Sequence, residues 1–275
     1  VTARLAREPA SRIAFRFTHG VARGPACHIE MGRGGAPALL FLHGFGGDLL
    51  TWQYCLAPFA DRFRVLALDL PGHGRSTPDV GGGSLAEMVA WVAGFLDALD
   101  LAAAHLVGHS MGAKIAIGLA LASPGRVAGL SLISPAGLGG YVDLALLRRF
   151  RDCAVPGTAE AIARRLLGPA APPHLLPGLV RALEAPGEIA RQGARERLLD
   201  SAGAIGAGLS ERGVPWERIG CPIQVIWGGA DTVLPVPGRD RLPPGVPVEI
   251  LPRVGHLPQL EAPGSVASLI EGFLS

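Results

Sequence analysis

The stretch that most constrains this chain is His105-Leu106-Val107-Gly108-His109-Ser110-Met111-Gly112-Ala113-Lys114. An apolar run ends in Gly-x-Ser-x-Gly, and Ile115-Ala116-Ile117-Gly118-Leu119-Ala120-Leu121 continues with the small and aliphatic residues of a helix. A strand that turns at once into a helix forces strained backbone angles on the residue at the tip. Glycines two positions before and after that residue remove the Cβ atoms that would collide. The pattern predicts that Ser110 is pushed out above a sheet, with the positive end of a helix behind it. The Met111 N–H then points at the oxyanion that forms when Ser110 attacks a carbonyl.

A serine hydroxyl is a poor nucleophile until a base takes its proton, and the base must itself be oriented by an acid. Partners are therefore sought at the ends of other strands. The wholly apolar run Ala38–Leu42 ends at His43-Gly44-Phe45-Gly46-Gly47-Asp48, a loop whose three glycines let backbone approach a ligand. The Phe45 N–H is the expected second oxyanion donor, and His43 and Gly44 are candidate pocket-lining residues. Ile223–Trp227 leads to Asp231, and Val246–Leu251 leads to Gly255-His256. The order Ser110, Asp231, His256 along the chain matches a nucleophile-elbow architecture, with His256 as base and Asp231 as acid. The rival place for the acid, after strand Val127–Ile133, holds Ser134, which cannot carry the charge. Asp69, after strand Phe63–Leu68, is expected as a turn or sheet-end acceptor, and His73 and Ser76 as loop structure. His109 is expected to point away from Ser110, in a structural or pocket-lining part.

The remaining pattern gives the fold class. Ser84–Leu99 reads as a helix opened by a Ser84/Glu87 capping box. Strands alternating with helices predict an α/β protein with a mostly parallel central sheet, flanked by helices, whose site lies at the carboxyl ends of the strands. Weak strands around Ile13–Phe17 and Ala26–Met31 form an antiparallel lead-in. Pro247 places the last strand near a sheet edge, and Val266–Leu274 reads as a terminal helix. Residues 138–214 break the alternation with helical segments at Val142–Arg151, Thr158–Leu167, Leu175–Glu184 and Glu188–Ser201. They are expected to form a helical lid inserted into a core made of residues 1–137 and 215–275.

Composition narrows the function. Over 275 residues the formal charge is only +2, so no nucleic-acid footprint is expected. Asparagine is absent, which excludes an N-glycosylation sequon and a Cys-His-Asn protease site, and Lys114 is the only lysine. Cys27, Cys55, Cys153 and Cys221 lie far apart with no metal-ligand spacing, so neither metal nor cofactor is expected. No apolar run approaches the ~18 residues of a membrane span, and a cytoplasmic protein without membrane contact is expected.

With these motifs in view, the chain resembles the α/β-hydrolase superfamily over nearly its whole length. The resemblance rests on His43-Gly44-Phe45-Gly46-Gly47-Asp48, Asp69-Leu70-Pro71-Gly72-His73-Gly74-Arg75-Ser76, Gly108-His109-Ser110-Met111-Gly112 and Gly255-His256. Around Phe45–Trp52, Ser131–Gly139, Trp227–Asp231 and Leu242–His256 it is most similar to the hydrolase-fold half of the acetyltransferase component of bacterial acetoin-cleaving complexes. In that family a lipoyl domain precedes this half; here the short N-terminus has no lysine to lipoylate. The Ala113-Lys114 pair also departs from the pattern, which often continues with glycine. The resemblance implies a serine hydrolase acting on a small or medium acyl substrate, with a carboxylic ester as the first expectation. Alternatives are C–C bond hydrolysis of a β-diketone-like substrate, cofactor-free perhydrolysis, an acyltransferase subunit with a protein partner, and a non-catalytic binding module.

Overall fold

Leu39 and Phe41 face one side of the third strand, Leu40 and Leu42 the other, and all four are fully buried. A run with no polar side requires cover on both faces, and that requirement sets the architecture. The computed structural model describes residues 14–138, 143–153, 155–185, 197 and 213–275. Its strands are β1 (Phe15–Thr18), β2 (Ala26–Gly32), β3 (Ala38–Leu42), β4 (Arg64–Leu68), β5 (Ala104–His109), β6 (Val127–Ile133), β7 (Ile223–Gly228) and β8 (Val248–Leu251). They form one sheet in the order β1-β2-β4-β3-β5-β6-β7-β8. β1–β2 and β2–β4 pair antiparallel, and every pair from β4 to β8 is parallel. The lead-in and the parallel sheet are thus as the sequence predicts, and Pro247 directly precedes the edge strand β8.

Helices α1 (Leu85–Ala98) and α2 (Met111–Ala122) cover the face that carries Leu40, Leu66 and Leu106. The other face, with Phe41, Val65 and Val107, packs against Trp52, Phe59 and the terminal helix, in which Val266 and Ile270 are buried. The Ser84 hydroxyl accepts from Glu87 N–H and the Glu87 carboxylate accepts from Ser84 N–H, so α1 begins at the predicted capping box. Residues 49–52 and 57–59 form single 3-10 turns that the sequence pattern did not single out. They are too short to carry a periodicity.

Between β6 and β7 lie α3 (Leu144–Arg149), α4 (Thr158–Leu166) and α5 (Leu175–Leu183), each within the expected spans. The fourth expected segment, Glu188–Ser201, falls outside the described residues apart from position 197. The chain ends with α6 (Pro258–Glu261) and α7 (Pro263–Phe273). No helix among the described residues is long and apolar enough to cross a membrane.

Candidate active site

Ser110 stands between β5 and α2 with φ 50° and ψ −112°, a left-handed backbone that no β-branched or bulky residue adopts cheaply. Its amide donates to Ile133 O at 3.0 Å, while its carbonyl accepts from Lys114 and Ala136 N–H, each at 3.1 Å. The tip is therefore held from three sides. A Cβ on Gly108 would stand 2.5 Å from Ala113 Cα, and one on Gly112 would meet Leu42 O and stand 2.6 Å from His43 O. Both glycines of the motif are thus required by close backbone approach rather than by chance composition.

The β3 loop reaches the same place. A Cβ on Gly44 would lie 2.7 Å from His109 Nδ1 and 3.1 Å from Ser110 Cβ, so the loop runs against the elbow. Phe45 and Met111 both line the cavity into which Ser110 opens. Neither backbone N–H donates to any group among the described residues. For Met111 that is the ordinary condition of a first-turn amide, and it leaves two donors beside the hydroxyl.

His256 follows β8 and Asp231 follows β7, and both are buried. The His256 Nδ1 and Asp231 Oδ2 atoms are 2.8 Å apart. The other carboxylate oxygen, Oδ1, accepts from Val233 and Leu234 N–H at 2.9 and 2.8 Å, so the acid cannot swing away. His256 lines the same cavity as Ser110. Its backbone N–H donates to Leu166 O at 2.7 Å, which ties the histidine loop to the end of α4.

Two expectations need correction. His43 is not among the cavity-lining residues: it is fully buried, its Nδ1 lies 2.8 Å from Gly44 O, and its Nε2 accepts from Leu70 N–H at 2.9 Å. It joins the β3 and β4 loops from beneath the cavity. His109 does line the cavity, but it does not turn away from the site. Its ring centroid is 4.8 Å from that of His256, and its Nε2 donates to His256 O at 2.7 Å. Burial, with His256 nearby, holds the pKa of His109 well below the usual histidine range, so the ring is neutral.

Asp69 accepts from Leu49 and Arg75 N–H at 2.8 and 2.7 Å and is fully buried, which makes it the sheet-end acceptor that was expected. Ser76 bridges Cys27 N–H and Asp69 O, and His73 packs edge-on against His43 and Phe45, both loop roles. The four cysteines form no disulfide.

One positioning residue escaped the sequence. Glu261 is 9% exposed, and its carboxylate accepts from Gly168, Gly255 and Leu257 N–H at 2.9, 3.0 and 3.3 Å. It holds both flanks of His256 and the chain just beyond α4. Burial raises its pKa, and these three donors oppose the rise. A glutamate within the otherwise uncharged stretch Leu257-Pro258-Gln259-Leu260-Glu261-Ala262 was the available signal.

The cavity has a volume of about 540 Å³. Its walls come from the β3 loop, the start of α2, α3 with Phe150, α5, and the loops after β7 and β8. Most of the lining residues are apolar, and Asp48, Lys114, Asp143 and Arg181 add charged groups to it.

Comparison with known proteins places the chain in a family. A model of the "Alpha/beta hydrolase family" matches residues 39–269. The chain is 36% identical over 255 residues to the dihydrolipoyllysine-residue acetyltransferase component of the acetoin cleaving system of Cupriavidus necator, covering 88% of this chain and 64% of that protein. It thus spans somewhat less than two thirds of that relative. It is 28% identical over 283 residues to a monoacylglycerol lipase of Mus musculus, covering 90% of this chain and 79% of the relative. The solved structure of carboxylesterase CesB from Bacillus subtilis superposes with a TM-score of 0.75 at 24% identity, over 96% of this chain and 92% of that one, a likeness of fold. By sequence and by architecture, the chain belongs to the α/β-hydrolase family.

Proposed function

We propose that this protein is a serine hydrolase that cleaves a small or medium carboxylic ester through an acyl-enzyme. The observation that carries the reading is that His256, whose Nδ1 lies 2.8 Å from Asp231 Oδ2, lines the same cavity as Ser110. Family membership and the lipase relative support a hydrolase.

The chemistry follows from the arrangement. Asp231 accepts a hydrogen bond from Nδ1–H of His256, which leaves the lone pair on Nε2 free to act as base. Ser110 Oγ attacks the carbonyl carbon while its proton passes to Nε2. The carbonyl oxygen becomes an oxyanion and takes hydrogen bonds from the Phe45 and Met111 N–H groups, each worth about 3 kcal/mol in comparable sites. Collapse breaks the bond to the alkoxide leaving group, which takes the proton from Nε2. A water molecule, deprotonated by the same nitrogen, then attacks the acyl-serine, and the acid leaves as the bond to Ser110 Oγ breaks and Oγ takes the proton back from Nε2. Helices α3 to α5, with Phe150, close one side of the cavity and serve in this reading as the lid that selects the acyl chain. A cytoplasmic setting fits cysteines that form no disulfide.

Turnover of p-nitrophenyl acetate, butyrate and octanoate by wild type and Ser110→Ala tests the reading. A loss of at least about 10⁴-fold in kcat is expected for the variant. Equal rates would overturn it. The acetyltransferase relative favours a second reading, an acyltransferase that passes an acetyl group from a thioester to a partner protein. Acetyl-CoA turnover that appears only with a co-purifying acceptor protein, and no ester hydrolysis without it, selects that reading instead.

A further inference from the structure

Lys114 is the chain's only lysine, and it lines the cavity beside Ser110. The sequence marked it only as a departure from the family pattern. It is the fourth residue of α2, and its N–H donates to Ser110 O. Side chains on a helix lean toward its N-terminus, so this one leans back toward the nucleophile. It runs along Gly137, where a Cβ would stand 3.5 Å from its Cε and 3.7 Å from its Nζ. Gly137 is itself part of the cavity wall.

Among the described residues, little favours a cation there. The N-terminal turn of α2 presents the positive end of the helix. The Lys114 ammonium has no hydrogen bond or ion pair among the described residues. Two carboxylates line the cavity, but both cap backbone elsewhere. Asp48 Oδ1 accepts from Leu50 N–H at 2.9 Å, and Asp143 Oδ1 accepts from Leu146 N–H at 2.9 Å while its Oδ2 lies 4.0 Å from Arg165. Burial alone pushes the ammonium down to about 8, so at neutral pH it still carries its charge for most of the time. A partly buried cation without a counter-ion is costly unless something that enters the cavity supplies one.

We propose that Lys114 is a specificity-determining residue that pairs with a carboxylate on the acyl chain of the substrate. This rests on the ester-hydrolase reading and narrows it to acyl groups that carry a second, anionic carboxyl a few bonds from the scissile carbonyl, as in half-esters of short dicarboxylic acids. The leaving oxygen must face His256, which protonates it. Lys114 stands on a different wall, made by α2 and Gly137, so the charge it meets belongs to the acyl part. A compact ammonium suits a single carboxylate, and the other cation of the lining, Arg181, lies exposed on α5.

The test uses a matched pair, mono-p-nitrophenyl glutarate and its neutral methyl ester, on the full chain. Wild type is expected to prefer the anionic ester in kcat/KM, and Lys114→Met and Lys114→Gln to lower that preference about 10- to 100-fold. Arg181→Gln is expected to leave the preference in place. Calorimetric binding of monomethyl glutarate to Ser110→Ala, and its loss in Ser110→Ala/Lys114→Gln, reads the same contact without turnover. Ester cleavage with no charge preference in wild type, or a preference unchanged in both folded Lys114 variants, overturns the proposal and leaves the hydrolase reading intact. Binding that depends on Lys114 without cleavage of either ester keeps the anion site and sinks the hydrolase reading.

Discussion

His105 and His256 are both buried, one beside a serine and the other beside a carboxylate, and only one arrangement suits catalysis. On β5 and β6, His105 Nε2 lies 3.0 Å from Ser131 Oγ, which also accepts from Gln224 Nε2 at 2.7 Å. After β7 and β8, His256 is bonded to Asp231. The first site holds a serine and a histidine in direct hydrogen bond, yet it has no acid. Desolvation lowers the pKa of His105 to about 4, and neither residue lines the cavity. Ser131 sits inside a regular strand, where its hydroxyl serves packing, while Ser110 sits on strained backbone at a cavity wall. The contrast teaches that a serine–histidine contact alone is a packing device. Chemistry needs in addition a carboxylate that fixes the tautomer and a space for the substrate.

Four experiments press on that contrast. The largest effect is expected for Asp231→Asn, which keeps the shape of the His256 site but lets the ring take the other tautomer. On the proposed mechanism kcat falls by about 10⁴-fold, as measured by steady-state ester hydrolysis. A loss under tenfold removes Asp231 from the mechanism.

The next concerns pH. His105 has a folded pKa of about 4, against an ordinary value of 6.5. Between those values the unfolded chain binds a proton that the folded one refuses. This group's contribution is therefore complete above pH 6.5 and is lost as pH falls toward 4, on the order of 3 kcal/mol at most. Urea denaturation at several pH values should show that slope, and His105→Gln should flatten it.

Glu261→Gln comes third. The amide keeps one acceptor oxygen for three backbone donors, so the His256 loop loosens. We expect kcat to fall about 10- to 100-fold with KM changed far less. A variant that loses melting temperature while kcat holds would make Glu261 a purely structural residue.

The smallest effect on turnover belongs to Ser131→Ala. It strands two buried polar atoms and should cost about 1–3 kcal/mol in stability by denaturation, with ester hydrolysis kept. Impaired kcat in folded Ser131→Ala would mean that the two histidine settings are coupled through the sheet.

Most of the sheet was legible because its signals are local. Ala38–Leu42 has no polar residue to expose, and Ser84 with Glu87 writes a helix start into four positions. The elbow was legible for the same reason: its motif is written in five residues, and Gly108 answers a steric demand from Gly112 and Ala113, although the demand on Gly112 comes from Leu42 and His43 at the end of β3. Glu261 was not, since its three donors come from Gly168, Gly255 and Leu257, and a charged residue looks exposed until its neighbours are known. His43 was misjudged because its neighbours in sequence reach the cavity while its own side chain turns under the loop to meet Leu70.

What the amino-acid order determined by itself was the type and succession of the elements and the identity of Ser110, Asp231 and His256 as residues at strand ends. Periodicity, glycine placement and capping act over a few positions and need no knowledge of the fold. Only the tertiary structure decided that His256 meets Asp231, that Ser110 shares a cavity with His256, and that Lys114 stands at that wall without a carboxylate of its own among the described residues. Those are relations between segments far apart in the chain, and a parallel sheet brings them together only when all of its crossovers are in place.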